Sequence, residues 1–183
     1  MTSVFGLNSE NAAYRVAVDW EEDGVPREGV FVPRRDTDSS INAFVGGTLF
    51  PGEHNKADFV VVEDDNGIDF SMNSQDKVVN VDLNGTFADR LPADSIFSDL
   101  SEASAFFEKG SLGYSVTKGE DHLDGLTLEI KTWKVKPLQL DSVSSSFFDD
   151  RSVFPKGTIE FDHALIMKNI EHEWHSAPNY ELK

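Results

Sequence analysis

The segment Pro33-Arg34-Arg35-Asp36-Thr37-Asp38-Ser39-Ser40 is the densest polar cluster in the chain, and it follows directly on the apolar Val30-Phe31-Val32. Its two adjacent arginines are one-third of the six in the sequence. A guanidinium at the end of a strand can hold a carboxylate or phosphate through two parallel hydrogen bonds. The competing use is an ion pair with Asp36 or Asp38 that orients a loop. Neighbouring residues of a strand point to opposite faces, so one arginine can line a cavity while the other meets solvent. Arg34 and Arg35 are therefore both candidate ligand-binding residues.

His54 ends the run Gly46-Gly47-Thr48-Leu49-Phe50-Pro51-Gly52-Glu53-His54, whose glycines permit a sharp turn or a close backbone approach. It is a candidate general acid or base, against the plainer reading of a surface histidine near a turn. Ile170-Glu171-His172-Glu173-Trp174-His175 is dense in ligand-type residues but is not the HExxH zinc pattern. If extended, it puts His172 and Trp174 on one side and Glu171, Glu173 and His175 on the other. A Glu173/His175 pair can shuttle protons or bind metal, and Glu173 joins His54 as a candidate catalytic residue. The local ligand set is too small to predict a metal site, so neither metal nor cofactor is expected. No G-x-S-x-G, P-loop or G-x-G-x-x-G motif occurs, which removes the common hydrolase, NTPase and dinucleotide signatures.

The 183 residues carry 33 acidic and 16 basic side chains, a formal net charge of −17. A surface this negative repels phosphate backbones and anionic membranes, so neither nucleic acid nor membrane is expected as a partner. With no cysteine, disulfides, thiolate metal sites and a Cys nucleophile are excluded. The N-terminal residues show no positive n-region and no long apolar run, and the expected location is the cytoplasm. The acidity suits simple solubility or adaptation to high salt. Asp outnumbers Glu, which favours a halophilic source, while Lys outnumbers Arg, which does not.

The elements that must position these residues are mostly strands. Ala57–Glu63, Ile68–Met72 and Val79–Leu83 have strand composition or alternation. Asn66-Gly67 and Asn84-Gly85 read as tight turns with positive φ. Leu112–Lys118, His122–Leu140, Ser142–Phe148, Thr158–Met167 and Ile170–His175 follow, with a parity switch near Lys131-Thr132 that suggests a bend. One helix is predicted near residues 100–109. Asp99 can cap it, Glu102 has capping-box spacing, and Gly110 can close it. Its Leu100, Ala103, Phe106 and Phe107 share one face and are expected in the core. No boundary divides the chain, so 1–183 reads as a single mainly β (α+β) domain with an ordered core of about 13–175. The remaining ends are expected to fray or lie on the surface. Many short strands with turn signals between them read as an antiparallel barrel or sandwich.

The ordered set GVFVPRRDTDSS, GGTLFPGEH, ASAFFEKGSLGYSV, DGLTLEIKTWKVKPL, SSFF and IEHEWH resembles the YqjF-like family of uncharacterised bacterial and archaeal proteins. The resemblance runs from about Tyr14 to Trp174. It implies an acetoacetate decarboxylase-like antiparallel β-barrel enclosing a pocket. The decarboxylases form a Schiff base on a lysine whose pKa an adjacent cation depresses. Their lysine pair corresponds to Val116 and Thr117, so neither lysine is present. Lys118 lies two residues beyond Val116, about 6.6 Å along a strand, and has no adjacent cation. Schiff-base chemistry is therefore not expected.

These readings lead to a β-barrel protein that holds a small anionic metabolite non-covalently, through Arg34 or Arg35 with Tyr114 as a hydrogen-bond donor. The alternative is a lyase, hydratase or isomerase acting on a keto acid without the Schiff-base lysine, with Glu173 or His54 as acid or base. Self-association into a homo-oligomer is left open.

Overall fold

The computed structural model describes residues 9–40, 43, 52–118 and 121–182. Two long strands dominate one end of the chain. β1 (Asn11–Glu22) and β2 (Val25–Thr37) form an antiparallel hairpin closed by Asp23-Gly24, whose φ angles of 52° and 78° are both positive. Asp-Gly is the pair that such a two-residue turn requires. One edge of β2 is occupied by β1. Its other edge takes two parallel partners in succession: β6 (Leu112–Val116) at Val30–Val32 and β3 (Asn55–Glu63) at Asp36–Thr37.

From β6 the sheet continues antiparallel through β7 (His122–Ile130) to β10 (His172–Glu181). From β3 it continues antiparallel through β4 (Gly67–Ser74), β5 (Asn80–Phe87) and β8 (Lys136–Ser145) to β9 (Ala164–Ile166). Two helices accompany it, α1 (Leu100–Lys109) and α2 (Ser146–Asp149). No helix among the described residues is long and apolar enough to cross a membrane.

The chain is mainly β as expected, but the sheet is mixed and open rather than an antiparallel barrel. β10 and β9 end the path without pairing to each other. The parallel pairs arise because the connection 38–54 is long enough for a crossover that returns β3 in the direction of β2. Strand pairing reaches further toward both ends than the expected core, while much of the C-terminal stretch lies on the surface as expected. Asn11 already belongs to β1, and β10 runs past His175 to Glu181, paired with β7 as far as His122.

A bulge in β2 fixes the geometry that matters below. Tyr14 pairs with Arg34 but Val16 pairs with Phe31, so Arg15 alone opposes Val32 and Pro33. Proline has no N–H to give the ladder, so the extra residue falls where least is lost. The bulge shifts the parity of β2 by one. Arg35 therefore shares a face with Val30 and Val32, while Arg34 and Asp36 share the opposite face with Tyr14. That second face carries the buried cluster Tyr14, Ala57, Met72 and Val79, with Phe59, Phe70 and Phe147 packed on it.

Two predicted turns have a different cause. Gly67 starts β4 without a positive φ, and the Asp64 carboxylate closes the connection by accepting from the Asn66 and Gly67 N–H groups. A Cβ on Gly67 would sit 2.2 Å from the Gly85 carbonyl oxygen, so glycine is needed there for close strand approach. Asn84-Gly85 lies inside β5 at a register shift against β8. The predicted helix is found over Leu100–Lys109. Asp99 accepts from the Glu102 N–H at 2.9 Å, the Glu102 carboxylate accepts from Ser98 N–H at 2.8 Å, and Gly110 is the C-cap. Ala103 is fully buried, but Phe106 and Phe107 are about half exposed rather than in the core.

Candidate functional site

The bulge separates the two adjacent arginines. On the Tyr14 face, Arg34 donates from Nε and Nη2 to both oxygens of the fully buried Asp36, at 2.7–3.2 Å, and from Nη2 to Asp76 at 3.0 Å. Desolvation opposes its charge, but the hydrogen bonds and charges of Asp36 and Asp76 raise its pKa. Arg34 is thus the ion-paired residue that anchors β2.

Arg35 has a different environment. It is 9% exposed, and among the described residues its Nε and Nη2 donate only to Ser115 Oγ, at 3.1 and 2.8 Å. Ser115 reaches it because β6 pairs Ser115 with Val32 on the same face. Burial first, and then the charge of Arg15, push the Arg35 pKa down to about 10. Arg15 lies on this same face of β1. Its exposed surface looks into a cavity, and packing around it lowers its pKa by desolvation. Among the described residues, neither guanidinium is paired with a carboxylate. A gap of about 10 Å³ between Val30, Val32 and Trp174 is lined by both arginines.

Arg15 also lines a much larger cavity of about 570 Å³, a volume usual for small-molecule sites. β7 supplies Leu128 and Ile130, α1 supplies Phe107, and Trp133 and Leu165 complete much of the apolar wall. Trp133 is fixed by donating from Nε1 to Ser104 Oγ on α1 at 2.8 Å. Glu108 and Glu129, both exposed, also line it.

His163 belongs to this wall, with a side chain 3% exposed. Its Nδ1 meets the Asp162 carboxylate, which also accepts from Ser95 Oγ at 2.8 Å and Ile96 N–H at 2.7 Å. The Ile96 bond, with help from His163 and Ser95, outweighs desolvation and lowers the Asp162 pKa. The imidazole stands edge-on to Phe97 and Phe107, with ring centroids 5.4 and 5.7 Å away. Its Nε2 is buried, with no hydrogen-bond partner among the described residues.

The remaining predicted residues do not converge on this cavity. Tyr114 lies on the opposite face of β6, edge-on to Trp20 and Tyr180 at 5.7 Å from each, and burial raises its pKa. Glu173 is half exposed on β10, ion-paired with Lys131 and 3.8 Å from His175, and the Lys131 contact lowers its pKa. His54 lies near Arg35, with Nδ1 3.0 Å from the Gly52 carbonyl oxygen. Desolvation, reinforced by the Arg35 charge, lowers its pKa. Residues 46–51 of the glycine-containing run lie outside the described residues. Lys118 is exposed beyond the end of β6. No group of three or more His, Asp or Glu among the described residues is arranged to hold a metal ion.

Sequence reasoning missed Arg15 and His163. Arg15 falls in Tyr14-Arg15-Val16-Ala17-Val18, where alternation makes it look solvent-facing. His163 had a usable signal: an Asp-His pair directly before the apolar Ala164-Leu165-Ile166-Met167. No protein family and no curated protein matches the chain.

Proposed function

We propose that this protein binds a small organic anion, a carboxylate with an apolar body, non-covalently in the 570 Å³ cavity. Arg15 meets the carboxylate, and Arg35 stands behind it as a second positive charge. One observation carries the reading. Two guanidiniums lie on the same face and neither pairs with a described carboxylate, although the chain has 33 acidic residues: Arg35 is buried, and Arg15 turns its exposed surface toward the cavity. A buried cation such as Arg35 is costly unless it is paired, and the nearby charge of Arg15 adds to that cost. A bound anion supplies the missing partner through charge-assisted hydrogen bonds. The apolar wall fits the non-ionic part of the ligand.

The motif order that resembles the YqjF-like family supports the same proposal, since its implied architecture is a β-rich shell around a pocket. We place the protein in the cytoplasm, in a salt-adapted host, on the composition alone. The alternative, an enzyme of lyase, hydratase or isomerase type on a keto acid, draws its support from the histidine in the cavity wall. The lysine route has no support, because Lys118 lies outside the cavity lining.

The test is a thermal-shift screen of aliphatic and aromatic carboxylates against their uncharged amides. Binding to the folded state alone raises the melting temperature by mass action. Carboxylates are expected to stabilise the protein and amides of the same shape to leave it unchanged. Equal stabilisation by both would remove the anion from the proposal.

A further inference from the structure

We propose that a second cavity binds a diphosphate group through Lys134, Lys136 and Lys168. The segments 133–136 and 165–168 run side by side, with Lys136 paired to Ile166. Trp133, Val135, Leu165 and Met167 line the 570 Å³ cavity. The residues that alternate with them, Lys134, Lys136, Ile166 and Lys168, line another of about 210 Å³ together with Phe87. Successive side chains of an extended chain point to opposite faces, so the three lysines face this second cavity. All three are exposed, which leaves their ammonium groups within reach of a ligand. The two cavities share no lining residue, so the inference stands apart from the carboxylate reading above.

Lys168 Nζ stands 3.9 Å from the centroid of the Phe87 ring and pairs with Glu63, which fixes one ammonium at the cavity wall. Among the described residues, Lys134 and Lys136 pair with no carboxylate, and no acidic residue lines the cavity. Three of the ten lysines thus meet in one recess of a chain whose net charge is −17. Like charges brought together repel, and an anion with adjacent negative charges relieves that repulsion. An ammonium binds phosphate as a compact point charge, whereas the guanidinium fork matches a planar carboxylate. A diphosphate sets several negative oxygens in one small volume, which suits three lysines around one recess better than a single carboxylate does.

Calorimetric titration at fixed ionic strength, without divalent cations, tests this. Pyrophosphate and ADP present the group free and esterified, and orthophosphate is the comparison. Pyrophosphate, ADP or both should bind about tenfold more tightly than orthophosphate or better, and the tighter of the two identifies the form the cavity takes. The double variant Lys134→Gln/Lys136→Gln should weaken that binding about tenfold or more. Lys118→Gln/Lys156→Gln removes the same number of charges from exposed positions outside the cavity, and Arg15→Gln removes one from the first cavity. Both should bind as wild type does. Equal weakening in the two double variants would reduce the effect to net charge, and a matching loss in Arg15→Gln would move it to the first cavity. Either result would overturn the inference, as would a diphosphate that binds no more tightly than orthophosphate or not at all.

Discussion

Arg34 and Arg35 have different surroundings because the extra residue at Pro33 shifts β2 by one place against β1. Arg34 and Asp36 form a pair whose side chains are 13% and 0% exposed. Arg34→Ala should therefore leave a buried carboxylate uncompensated and cost about 3–5 kcal/mol in chemical unfolding. A loss below 1 kcal/mol, the usual worth of a surface pair, would contradict the assignment. That the two arginines part company was legible in the sequence, since strand neighbours alternate. Which one turns inward was not, because the bulge depends on pairing with a strand that local pattern does not reveal. Arg15 is indeed exposed, and nothing in its local pattern marks that its exposed surface looks into a cavity. His54 gives a pH prediction. Its pKa lies below the ordinary value of 6.5, so the unfolded chain holds the extra proton when the pH falls below that value. Stability contributed by the neutral ring is present above the unfolded value and is lost as pH falls through the folded one. Between pH 7.5 and 5, the melting temperature of wild type should fall more than that of His54→Asn, and parallel curves would contradict it.

At the scale of elements, the strands of the β3–β4–β5 meander and the helix over Leu100–Lys109 were readable, because each carries its own period or cap. The glycines were readable as special positions but not for the right reason. Gly67 and Gly85 serve close packing between strands, and only the turn at Asp23-Gly24 uses the left-handed backbone that such pairs suggest. Gly67→Ala should thus destabilise by about 1–3 kcal/mol or more through overpacking, since the neighbour it meets is backbone and cannot rotate away. A neutral effect in a denaturant titration would mean that β4 and β5 do not approach this closely. The open sheet was not legible, because the parallel pairing of β2 with β3 and β6 joins segments far apart in sequence. Phe107 shows the same limit on the helix: its spacing marks a buried stripe but does not say that the stripe partly faces a cavity.

For the whole molecule, the −17 charge and the two arginines with no described carboxylate partner belong to one electrostatic picture. A strongly negative surface repels an incoming anion at long range, and salt screens that repulsion over about 8–10 Å at 0.10–0.15 M. If the surface is adapted to salt, the urea unfolding midpoint should rise steadily from low to molar KCl, and a flat curve would remove the adaptation. At the site, screening is weaker for Arg35, which is buried, than for Arg15, which is exposed toward the cavity. The most direct test of the central claim is calorimetric titration of the best-binding carboxylate, at fixed ionic strength, into wild type, Arg15→Gln and Arg35→Gln. Loss of a charge-assisted contact should weaken binding by about tenfold or more in Arg15→Gln, with a smaller loss in Arg35→Gln. Unchanged affinity in a folded Arg15→Gln protein would contradict the account.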